Sequence, residues 1–129
     1  MTRLLLTLPA CALAAACATD QRPYAPVRDI RYQALGSQPF WLLAIGDDRI
    51  VLRTTQPDDE RSWPRTLPRT QGVDRAWRSG EGETAILVEA SDGPCSDDRG
   101  VEYADHVRVT FGARELHGCG GRQLRGEER

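Results

Sequence analysis

Residues 95–119 read CSDDRGVEYADHVRVTFGARELHGC. Within this stretch Val107, Val109 and Phe111 alternate with polar residues, the period of a strand that buries one face. Gly112-Ala113-Arg114 then supplies a turn, and Glu115 to Cys119 returns. The spacing predicts an antiparallel hairpin whose second strand carries Cys119 back towards the segment that holds Cys95. The same 25 residues contain both histidines of the chain, His106 and His117, and five carboxylates. Two readings therefore compete: a metal or catalytic site, or a hairpin closed by a disulfide.

Upstream, short apolar runs recur between turn signals. Thr84 to Ala90 reads as a strand ended by Ser91-Asp92-Gly93-Pro94, and Val73 to Arg78 as a weaker one. Phe40 to Ile45 and Ile50 to Thr54 flank Gly46-Asp47-Asp48, the pattern of a β-hairpin. Gln56 to Pro68 holds three prolines and the run Asp58-Asp59-Glu60-Arg61, so it reads as a loop with no place in a central strand. No helical period exceeds three turns. The expected fold is mainly β, a small antiparallel barrel or sandwich with a disulfide-closed C-terminal hairpin and at most one short helix.

The amino terminus decides how the cysteines are read. Arg3 precedes an apolar run from Leu4 through Ala16, broken only by Thr7 and Pro9. This is the order of a secretory signal peptide, and the run falls short of the roughly 20 residues that span a bilayer. Leu13-Ala14-Ala15-Ala16-Cys17 resembles the lipobox of bacterial lipoproteins, which implies cleavage before Cys17 and acylation of its thiol and new amino terminus. Cys11 would leave too short an apolar region and would place Pro9 beside the cut. Two or more acyl chains anchor a protein stably where one does not. Ala18, instead of Asp, follows Cys17, so enterobacterial sorting rules direct the chain to the outer membrane, facing the periplasm.

The chain divides into a leader (1–16), a proline-bearing tether (17–28), one β domain (29–122) and a polar tail (123–129). All 17 basic residues are arginine, and the formal charge is −2. No basic block marks a nucleic-acid partner. Export leaves Cys95 and Cys119 as an even pair, which in an oxidising compartment forms a disulfide. A structural zinc site wants about four closely spaced ligands, and a thiol nucleophile must be free. Neither condition suits two lone cysteines, so no metal, cofactor or catalytic residue is assigned. Asp97 and Asp98 read as turn or solvent residues. His106 and His117 fall in the outward phase of their strands. Arg61, Trp63 and Arg65 combine an aromatic with guanidinium groups, the residue types enriched at interface hot spots. Candidate partner contacts are thus Arg61, Trp63, Arg65, Asp97, Asp98, His106 and His117.

Gly36-Ser37-Gln38-Pro39-Phe40-Trp41, Cys95-Ser96-Asp97, Val107-Arg108-Val109 and Gly118-Cys119-Gly120 together resemble a family of small bacterial envelope lipoproteins. That resemblance implies location and a disulfide, and no chemistry. The chain departs from the family pattern at Gln38, where Glu is usual, and at Asp98-Arg99-Gly100. The function expected is therefore non-enzymatic: a lipid-anchored domain that binds a protein or envelope component. The alternative, by similarity of broad plan only, is a periplasmic lysozyme inhibitor whose Arg65 or Arg69 engages the enzyme's catalytic acids.

Overall fold

The computed structural model describes residues 27, 29–55 and 57–125. The leader, Cys17, the tether except Val27, and residues 126–129 lie outside the described residues. Nine strands are present: β1 (Tyr32–Ser37), β2 (Phe40–Ile45), β3 (Arg49–Thr55), β4 (Asp58–Pro64), β5 (Arg69–Gln71), β6 (Asp74–Ser79), β7 (Ile86–Ser96), β8 (Glu102–Phe111) and β9 (Arg114–Arg125). They form one sheet in the order β4-β3-β2-β1-β9-β8-β7-β6-β5. Every neighbouring pair is antiparallel. Among the described residues the sole helical piece is one 3-10 turn at Gly82–Thr84.

Alternation in the strands builds the core. Trp41, Leu43 and Ile45 of β2 share the inner face with Ile50 and Leu52 of β3, in the registers Leu43↔Leu52 and Ile45↔Ile50. Ile86, Val88 and Ala90 of β7 meet Val107 and Val109 of β8 in the same way. Burying one such side chain stabilises the fold by about 1.5–3 kcal/mol. Curling brings the two edges of the sheet together at one corner. There the Trp63 indole donates to the carbonyl of Thr84 at 2.7 Å, and the Ser79 hydroxyl donates to the carbonyl of Pro64 at 2.6 Å. Strands β4 and β5 do not pair, so the molecule is a half-barrel made from a single curled sheet instead of two stacked ones.

Three boundaries differ from the sequence expectation. The proline-rich loop contains strand β4, which tolerates its charges and Pro64 because it lies at the edge of the sheet. Ser91 to Pro94 does not end β7, because the strand continues through a register shift between Asp92 and Cys95. Pairing of β9 runs to Arg125 opposite Glu102, so residues 123–125 belong to the sheet and not to a tail.

Candidate functional site

Cys95 and Cys119 are joined, with their Cα atoms 5.5 Å apart and both residues buried. Cys119 lies in the C-terminal hairpin, opposite His106, whereas Cys95 lies in β7, on the far side of β8. Strands two places apart in a sheet are separated by about 9.5 Å. The end of β7 must therefore leave the plane of the sheet and lean across β8 to reach β9.

Bulges provide that bend. Asp92 pairs with Asp105 and Cys95 with Tyr103, which leaves Gly93 and Pro94 opposite Ala104 alone. On the other side of β8, Gly120 pairs with Asp105 and Gln123 with Tyr103, leaving Gly121 and Arg122 opposite the same Ala104. Gly121 has φ 79°, the left-handed conformation that glycine gives a bulge, and a side chain there would collide with the Asp105 carboxylate.

The sequence-selected residues do not converge on one site. Asp97 is drawn into the turn that follows Cys95. Its Oδ1 accepts the backbone N–H groups of Arg99 and Val101, each at 2.9 Å, and its Oδ2 accepts Arg99 Nη2 at 2.7 Å. Lost solvation alone would raise its pKa, but these donors outweigh that effect and hold the carboxyl below its ordinary value. Asp97 is thus a turn residue with a side chain only 3% exposed, and it is withdrawn from the candidate contacts. Asp98 is exposed in the same turn. His106 and His117 point outwards as expected, His117 beside Glu115 at 3.0 Å.

Trp63 requires the clearest correction. Instead of being an exposed contact it belongs to the core, opposite Ile50, with its ring edge-on to Phe111 at 5.5 Å. Residues 59, 61 and 63 share the inward phase of β4, opposite Thr54, Leu52 and Ile50, and of these three Trp63 alone is buried. Arg61 remains exposed, lying over Phe111 at 4.6 Å and bonded to Asp59 at 2.7 Å. Arg65 is half-buried and donates to Asp47 at 3.2 Å.

A different cluster occupies the opposite end of the barrel. Asp105 is buried, and its Oδ2 accepts the Tyr32 hydroxyl at 2.8 Å and Arg75 Nη2 at 2.8 Å. The Arg75 guanidinium also lies 5.0 Å from the centre of the Tyr32 ring and 5.6 Å from that of Trp77. Burial, followed by the hydrogen bond to Asp105, pushes the Tyr32 phenol far above its ordinary range. Beside this network opens a depression of about 530 Å³, which Arg31, Asp92, Gly121 and Arg122 also line. The mouth of a small barrel with a few converging polar groups is a common place for a ligand. Asp105 keeps the parity of Val107, Val109 and Phe111, so a charged residue in the buried phase was the signal that marked this site. Among the described residues no group of three or more His, Cys, Asp or Glu side chains assembles to hold a metal ion.

Compared with protein-family models, with curated proteins and with solved structures, the chain has no match.

Proposed function

We propose that the protein is an exported, lipid-anchored and non-enzymatic domain of the bacterial envelope, tethered through Cys17, that binds an envelope component. The observation that carries this reading is the bond between Cys95 and Cys119. Disulfides persist in oxidising compartments and are rare in the cytosol, which agrees with the leader-like amino terminus. The bond also occupies both thiols of the β domain, and the two histidines stand on its outer face, away from any buried acid. Support therefore favours binding over nucleophilic catalysis. The lysozyme-inhibitor alternative draws less support, because Arg65, one of the two arginines it needs, is held by Asp47.

Mass spectrometry of the membrane fraction tests the anchor. The expected result is an acylated amino-terminal peptide that begins at Cys17. An unmodified amino terminus elsewhere would overturn the proposal.

A further inference from the structure

The mouth beside Ala104 holds donors that the fold leaves unused. Arginine offers five N–H donors, and Arg75 places one of them on Asp105. Among the described residues the exposed side chain of Arg122 forms no hydrogen bond or ion pair, although the Gly121 bulge sets it at the rim of the same depression. We propose that this mouth binds the carboxylate of a singly charged organic ligand between the guanidinium groups of Arg75 and Arg122. The proposal deepens the binding reading above and rests on it only in requiring that the domain binds a ligand. The lipid anchor plays no part in it.

Geometry and charge both select this chemistry. A guanidinium is a planar fork that matches an oxyanion in two-point contact, and it is weakly enough hydrated to act at a partly buried site. Arg75 is already fixed, stacked on Tyr32 and Trp77 and bonded through Asp105, so ordering it for a ligand costs little. Arg31 is held at two points by Asp47, at 2.6 and 3.1 Å, and Arg75 is paired with Asp105, so among the described residues Arg122 is the guanidinium of the mouth with no bonded carboxylate. One such charge suits a monoanion. A phosphate dianion would add a second negative charge beside Asp92, which has no counter-ion of its own among the described residues. Ile30, exposed at the rim, gives the carbon skeleton of an organic acid an apolar surface to cover.

Titration of the oxidised, ¹⁵N-labelled full chain tests the site. The probes are N-acetyl-alanyl-alanine, its C-terminal amide and inorganic phosphate. Only the free carboxylate is expected to move the backbone amide signals of Tyr32, Ala104, Gly121 and Arg122. The substitution Arg122→Ala should weaken that binding by about tenfold or more, the loss expected for a charge-assisted hydrogen bond. Unchanged signals from Val107 and Val109 would show that this variant still folds. Asp92→Asn should bring phosphate into the site. An equal response to the capped dipeptide, phosphate binding as tight as that of the carboxylate, or an Arg122→Ala variant that binds normally would each overturn the proposal. Failure of the dipeptide, with an envelope extract still retained by Arg122→Ala, would reject this site and leave the broader binding reading standing. Loss of both would reject the two together.

Discussion

A carboxylate in the buried phase of a strand is tolerated only where donors replace its water. Asp105 meets that condition through Tyr32 and Arg75, and the price is a phenol that cannot ionise in place. The unfolded chain releases the Tyr32 proton near its ordinary value of 10.0, whereas the folded protein retains it. The folded-state pKa is raised, so this contribution to stability is complete below about pH 10 and declines as the pH rises further, where the unfolded state binds fewer protons. Urea denaturation across the alkaline range should show that decline. Tyr32→Phe is expected to start about 1.5–3 kcal/mol less stable at neutral pH, having lost a hydrogen bond to a charged group. Its stability should then fall less steeply above pH 10. Parallel curves for the two proteins would show that Tyr32 is not held protonated by the fold.

At the scale of elements, the disulfide fastens β7 to β9 across β8. The chain-entropy relation for a sequence separation of 24 gives a contribution of about 3.5 kcal/mol. Unfolding with and without reductant should differ by about this amount, and the double variant Cys95→Ser with Cys119→Ser should match the reduced protein. Equal midpoints would mean that the bulges alone hold the end of β7 in place. Strands β2, β3 and β7 were legible as short apolar runs bounded by turn signals, and β8 because Val107, Val109 and Phe111 alternate with polar residues. Strand β1 was not, since its inward residues after Tyr32 are Ala34 and Gly36, which carry almost no apolar volume. The structure gives the reason: the Trp41 ring lies against Gly36 and Gly118, where any side chain would collide with it, and its indole donates to the carbonyl of His117 at 3.2 Å. Strand β4 was hidden by a loop-like composition that only an edge position permits. The disulfide was legible from the leader-like amino terminus, which predicts an oxidising compartment, and from the even pair of cysteines left in the β domain. The Asp105 mouth was overlooked because its partners, Tyr32 and Arg75, lie far away in sequence and converge only when the sheet curls.

For the whole molecule, the half-barrel has a locked end and an open one. At the locked end Trp63, Ser79 and Phe111 join the free edges through side chains, while the open end holds Asp105 and the ligand-sized depression. Backbone pairing is continuous from β4 round to β5 and is interrupted at the seam. The seam is therefore the weakest boundary of the sheet, and its strands should open before the centre does. Amide hydrogen exchange is expected to be fastest in β4 and β5 and slowest in β8 and β9, which are paired on both sides, β8 lying under the disulfide that ties β9 to β7. Trp63→Ala should lower global stability by about 3–5 kcal/mol, as usual for removing a buried tryptophan. Its exchange should accelerate most in β4 and around Ser79 to Ile86, at the seam. Because Asp105 lies at the opposite end of β8 from Phe111, the amide signals around Ala104 should remain in place in this variant. Uniform acceleration through β8 and β9 with no excess at the seam would instead mean that the sheet opens as one unit, and that the Trp63 lock does not act locally.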